Sequence, residues 1–129
     1  MKREIIIICA IIFIIIIANT ISQITSQKFF KGISGELDNL EQKIYAKDLE
    51  NDNLSKEIDD IQNKWSEEYK HYACFIEHDE LEKVYTQLVS IDANISVEDY
   101  NKAVDEIERC KFILRHIQEK DALKLVNIL

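Results

Sequence analysis

Residues 5–18 form an unbroken run of 14 apolar residues, most of them isoleucine, directly after Met1-Lys2-Arg3-Glu4. As a helix rising about 1.5 Å per residue, the run covers only about 21 Å, against roughly 30 Å of bilayer hydrocarbon. Continuing through Asn19, Thr20, Ile21, Ser22, Gln23 and Ile24 supplies the missing length. Thr20 and Ser22 can bond back to their own helix, and Asn19 falls toward the outer interface. The segment therefore reads as a spanning helix over residues 5–24. A cleaved signal peptide is the alternative, since it shares the basic start and short apolar core. Ala18-Asn19-Thr20 and Thr20-Ile21-Ser22 are poor cleavage patterns, however, and bulky Ile8 before Cys9 argues against lipidation of that thiol. A buried soluble helix needs one polar stripe, which this run lacks. Lys2 and Arg3 crowd the first flank while Lys28 and Lys31 lie farther off, so the positive-inside bias favours a cytoplasmic N-terminus. The expected topology is a single-pass protein of the cell membrane, with residues 1–4 cytoplasmic and the rest extracytoplasmic.

The remainder has no proline and two glycines, Gly32 and Gly35. Tight turns and sheet corners draw on both residue types, so the chain favours long helices joined by short Asn/Asp/Ser turns such as Asn51-Asp52-Asn53 and Asp92-Ala93-Asn94. Ser26, Gly32, Ser34 and Gly35 suggest a juxtamembrane connector over residues 25–35, leaving residues 36–129 as the extracytoplasmic domain. Leu37, Leu40, Ile44, Leu54, Ile58, Ile61, Trp65, Tyr72 and Phe75 share one heptad register, interrupted by Lys47, Asn51 and Glu68. This predicts helices over residues 35–50 and 53–76. Asp79 with Glu82, and Ser96 with Asp99, have capping-box spacing and open two more. Their apolar faces are Leu81, Val84, Tyr85, Leu88 and Ile91, then Tyr100, Ala103, Ile107, Cys110, Leu114 and Ile117. The closing Leu123, Leu125, Val126, Ile128 and Leu129 are apolar enough to dock on the core. The fold class is all-α: an N-terminal transmembrane helix followed by a small bundle of about four helices.

Charge and cysteine usage narrow the function classes. Setting aside Lys2, Arg3 and Glu4 leaves 14 basic and 23 acidic residues, a charge of −9. Such a domain is repelled by phosphate backbones, which argues against nucleic acid. Cys9, Cys74 and Cys110 form no motif, and whether Cys74 and Cys110 pair depends on how their helices pack. Glu68 and His71 have the Glu-x-x-His spacing of di-iron bundles, but neither His78 nor His116 repeats it. Glu77-His78-Asp79-Glu80 gathers acceptors around one imidazole, yet consecutive helical positions diverge too far to coordinate a metal alone. No metal or cofactor is expected. Asn53 and Asn94 match a glycosylation sequon but sit where helix turns are expected. No glycine-rich phosphate loop or nucleophile elbow is present, so the chain is not read as an enzyme.

Trp65, His78-x-Glu80-Leu81, His116-Ile117 and Asn127-Ile128-Leu129, together with the apolar start, carry a resemblance. The chain resembles an uncharacterised domain-of-unknown-function family (four-three-six-three) of short, membrane-anchored helical proteins from spore-forming Gram-positive bacteria. A tryptophan commonly stands in that family near the position of Asn53-Leu54, where this chain has none. The resemblance implies an uncleaved anchor, an extracytoplasmic helical domain, no assigned activity, and an accessory role beside a multi-span membrane protein. The expected function is thus a non-enzymatic interaction module anchored in the bilayer through residues 5–24. The alternative is a ligand-binding or sensory ectodomain with a pocket between helices near Trp65, His78 and His116. Trp65, His78, Glu80 and His116 are the candidate partner- or ligand-facing residues.

Overall fold

The computed structural model describes residues 1–47, 50–73 and 76–128, with the side chains of the last helix described through residue 123. Four helices account for nearly all of it: α1 (Lys2–Tyr45), α2 (Asn51–Tyr72), α3 (His78–Ser96) and α4 (Tyr100–Ile128). No strand occurs among the described residues. Each helix packs on its two neighbours in a cycle, α1 on α2, α2 on α3, α3 on α4 and α4 back on α1. This is an up-down-up-down bundle with short connections, the arrangement that sequential amphipathic helices reach most directly.

α1 is the element that departs from expectation. It runs unbroken for 44 residues, so residues 25–35 are helix and not a connector. The apolar stripe of Leu37, Leu40 and Ile44 continues backward at the same spacing through Ile33, Phe30 and Ser26, all buried. Burying Phe30 and Ile33 outweighs the propensity penalty of Gly32 and Gly35, about 1 kcal/mol each. Both glycines lie on the exposed side of α1. The first half of α1 is long and apolar enough to cross a membrane, and its apolar window has no buried residue. The bundle therefore begins near residue 23, and span and core share one helix.

The core follows the heptad stripe closely. Leu54, Ile58, Ile61, Trp65 and Tyr72 line α2; Leu81, Val84, Leu88, Ile91 and Ile95 line α3; Ala103, Ile107, Cys110, Leu114 and Ile117 line α4. Tyr85 is 46% exposed, so it does not belong to the α3 core face as expected, and Ile95 extends that face instead. Phe75 lies outside the described residues. Leu123 is 63% exposed, and the remaining side chains expected to dock at the end of α4 lie outside those described. Phe29 and Phe30, from the stretch expected to be a linker, pack on Trp65 and Tyr72 with ring centroids 5.2–6.0 Å apart, Phe29 stacked and Phe30 tilted. Aromatic pairs at that spacing add to the energy of area burial alone.

Turn chemistry also differs from expectation. Asn51-Asp52-Asn53 opens α2, and Asp92-Ala93-Asn94 lies inside α3. Among the described residues, the left-handed turn positions are instead Lys47 and Glu98, both at φ 59°. Glu98 N–H donates to the carbonyl of Ile95 and Asp99 N–H to that of Asn94, a Schellman closure of α3. Asp99 then caps α4, its carboxylate accepting from Lys102 N–H at 3.2 Å. The expected capping boxes are not formed: Ser96 donates to the Asp92 carbonyl, and α3 starts one residue before Asp79 with Glu77 at its N-cap. Serine near a helix end readily bonds back into its own helix, which removes it from the capping role.

Glycine thus stands at two helical positions, while among the described residues Lys47 and Glu98 stand at left-handed ones. Neither glycine would meet an atom within 4 Å if given a Cβ. Gly32→Ala and Gly35→Ala are each expected to raise stability by about 0.5–1 kcal/mol. Glu98→Gly is expected to raise it by up to about 1 kcal/mol through relief of the left-handed strain. Urea denaturation of the three variants checks this; destabilisation by either alanine would contradict an unbroken, open-faced α1.

Candidate functional site

The four candidate residues separate into different places. Trp65 and His78 meet at a groove of ≈ 380 Å³ between α2 and α3, lined also by Ser66, Tyr69, Lys70, Leu81, Glu82 and Tyr85. Trp65 is buried beneath it, packed against Phe29 and Phe30. Glu80 turns to the α3–α4 side, where its carboxylate lies 3.9 Å from Lys120 Nζ. His116 is exposed on α4, away from the groove lining. The structure therefore brings Trp65 and His78 together and leaves Glu80 and His116 out.

The groove has an apolar floor and a polar rim. His78 Nε2 lies 4.0 Å from Glu82, one turn along the same helix, with both side chains mostly exposed. Solvent screens such a pair, so it fixes little. Ser66, Lys70, Tyr69 and Tyr85 supply further polar groups. This arrangement suits an apolar or aromatic group bearing a hydrogen-bonding substituent. Glu68 and His71, the pair with di-iron spacing, are both exposed. Among the described residues, no group of three or more His, Cys, Asp or Glu side chains is placed to hold a metal ion.

The most strongly perturbed charges lie elsewhere, between α1 and α4, and the sequence reading did not single them out. Lys111 Nζ donates to Glu41 at 2.8 Å and Asp38 at 3.1 Å, and pairs with Glu108 at 3.2 Å. Glu41 is 3% exposed and its second carboxylate oxygen has no donor. Burial first, then the neighbouring Glu108, raises the Glu41 pKa despite Lys111. Glu108 is shifted the opposite way, by Glu41 and then Lys111. A proton on Glu41 can be donated to Glu108, which satisfies both shifts. Burial would lower Lys111, but its hydrogen bonds to Glu41, Asp38 and Glu108 outweigh it and hold the ammonium above its usual range. The spacing of Asp38 with Glu41, and of Glu108 with Lys111, is common on solvated helices, so only the packing of α1 on α4 reveals the cluster.

A second polar layer crosses the same interface nearer the apolar segment. Ser26 Oγ donates to Asp121 at 3.0 Å, and Gln27 Nε2 donates to the Gln118 carbonyl at 3.0 Å. Gln23 Oε1 and Gln118 Nε2 are buried there without partners. Cys110, on the core face of α4, is a free thiol whose pKa burial pushes up to about 12, which makes it unreactive. Cys74, the other half of the pairing left open by the sequence, lies outside the described residues.

The charge cluster makes a signed prediction. Because the folded state raises Glu41, its ionisation penalises folding as pH climbs from the ordinary glutamate range through the raised value. Below that range the acid is protonated in both states and the penalty is absent. Glu41→Gln mimics the protonated acid, so its stability relative to wild type should improve between mildly acidic and neutral pH. Lys111→Met, which strands a buried carboxylate, should cost about 2–3 kcal/mol at neutral pH. Thermal denaturation at the two pH values measures both; a Glu41→Gln deficit that widens toward neutrality would reverse the assignment.

Comparison with known proteins places the chain by family alone. A family model described as Domain of unknown function (DUF4363) matches residues 20–128. No curated protein and no solved structure matches the chain. The matched span takes in the C-terminal end of the apolar segment and the whole four-helix bundle. The chain belongs to the DUF4363 family, a domain of unknown function.

Proposed function

We propose that the chain is a single-pass membrane protein whose acidic bundle stands on the outer face of the cell membrane. There it engages another membrane or envelope protein as a non-enzymatic accessory module. The observation that carries this reading is the continuity of α1, which passes from a bare apolar segment into the bundle core without a break. A helix held in lipid at one end and packed at the other fixes the height and orientation of the domain above the bilayer. Such fixed presentation suits contact with a neighbour in the same membrane. Lys2 and Arg3 before the apolar run favour an inward N-terminus. The −9 charge of the rest keeps the bundle off anionic headgroups. Exposed Tyr85, Val89 and Phe112 on α3 and α4 offer apolar anchors for a partner.

A ligand-binding ectodomain is the second reading, favoured by the groove between α2 and α3. Native mass spectrometry of the full chain released from membranes separates the two. A retained small molecule, lost with Tyr69→Ala, supports the groove; a photo-crosslinker at Tyr85 or Phe112 that captures one integral membrane protein supports the accessory role.

The membrane part has its own test. The full chain should stay in the pellet after alkaline washing of bacterial membranes. A cysteine introduced at exposed Val97 should react in intact cells with a thiol reagent that cannot cross the membrane. Release by alkali together with a mature N-terminus near Ile21 would make the apolar run a signal peptide. Labelling of Val97→Cys only after cell lysis would reverse the topology.

A further inference from the structure

We propose that the last two turns of α4 are a second membrane contact, resting in the interfacial layer of the lipid bilayer beside the outer end of the α1 span. The inference builds on the reading of residues 5–24 as that span. α4 runs antiparallel to α1: Lys111 meets Asp38 and Glu41, the Gln118 carbonyl meets Gln27, and Asp121 meets Ser26. From Asp121 the α4 backbone continues for seven residues to Ile128, about 10 Å at helical rise. The same distance down α1 from Ser26 reaches Asn19, inside the segment assigned to lipid.

The surface of α1 agrees with that register. Every residue before Ile16 is exposed, whereas Ile16, Thr20, Gln23 and Gln27 are partly covered. Those four positions fall three or four apart and so form one stripe, continuous with the face that α4 covers higher up. Partial cover of α1 thus extends down to the level the end of α4 reaches.

Composition supplies the partner. After Asp121 the α4 sequence is Ala122, Leu123, Lys124, Leu125, Val126, Asn127 and Ile128, with one charge, and that charge is positive. Leu123 is 63% exposed. The strictly apolar part of α1 spans about 21 Å of the roughly 30 Å of hydrocarbon. Its outer end carries Asn19, Thr20, Ser22 and Gln23. Apolar turns of α4 therefore stand at the depth where the apolar surface of α1 runs out. Two helices together complete a layer that one alone leaves short, and lipid is what lies at that depth.

The test uses the full chain in phosphatidylcholine vesicles whose acyl chains are brominated near the glycerol end. Leu125→Trp and Val126→Trp are compared with Ile21→Trp, and native Trp65, buried in the core, sets the background. Circular dichroism confirms that each variant remains helical. Ile21→Trp emission should be quenched, as should that of Leu125→Trp or Val126→Trp, each at least twofold beyond background. Quenching at Ile21 with none at either α4 position would overturn this inference and leave the anchor standing. Absence of quenching at all three would remove the anchor, and the second contact with it.

Discussion

Everything in this fold hangs on the stretch of α1 between Gln23 and Ile44. Its buried face, Ser26, Phe30, Ile33, Leu37, Leu40 and Ile44, is one wall of the core. Its Phe29 and Phe30 rings close the α1–α2 seam against Trp65 and Tyr72. The same backbone continues into the bare apolar segment. A break anywhere in it would free the bundle from that segment and remove a quarter of the helical walls. A helix this long is marginal on propensity where it holds two glycines, so tertiary packing must maintain it. The aromatic cluster sits one turn before Gly32 and supplies that packing where it is most needed.

Among the described residues, the two polar side chains buried in the bundle, Ser26 and Glu41, both face the α1–α4 seam. The α1–α2 seam carries exposed ion pairs, Lys43 with Glu57 and Lys64 with Glu36, of the kind that add little stability. The α1–α4 seam buries charge in the Lys111 cluster and amide and hydroxyl groups around Ser26 and Gln118. Buried polar groups add less to stability than apolar packing of the same volume, but mispairing them is expensive. Two such layers therefore penalise a slip of α4 along α1. A heptad interface of similar aliphatic residues would otherwise tolerate that slip.

Much of the fold was legible because periodicity records burial directly. Leu37 through Trp65, and Ala103 through Ile117, lie in the core where their spacing places them. The connector expected over residues 25–35 is helix because the composition of Gly32, Ser34 and Gly35 does not reveal which face of α1 they occupy. The heptad they interrupt continues through Ile33 and Phe30, and both glycines point outward, where propensity is the only penalty. Turn residues misled for a related reason. Short Asn and Asp clusters favour turns, but Lys47 and Glu98 occupy the left-handed positions, and a moderate strain there is tolerated once helix packing sets the geometry. Of the four candidate residues, Trp65 and His78 line one groove. The separation of Glu80 and His116, and the convergence of Asp38, Glu41, Glu108 and Lys111, depend on which helices become neighbours, and local spacing does not encode that.

Continuity of α1 has one more mechanical consequence when its first half is in lipid. Forty-four residues make a rod of about 66 Å, with the bundle fixed along its outer half. Membrane helices commonly tilt by about 20°. A tilt of that size at the span displaces the far end of the bundle by roughly 10 Å, because no hinge absorbs it. The exposed residues of α3 and α4 are then positioned by the tilt of α1 as well as by the fold. Any neighbour that grips the bundle must also restrain that tilt, and any change in bilayer thickness that alters the tilt must move the bundle relative to its neighbour. A flexible connector would have uncoupled the two; the buried face of α1 between residues 26 and 37 forbids it.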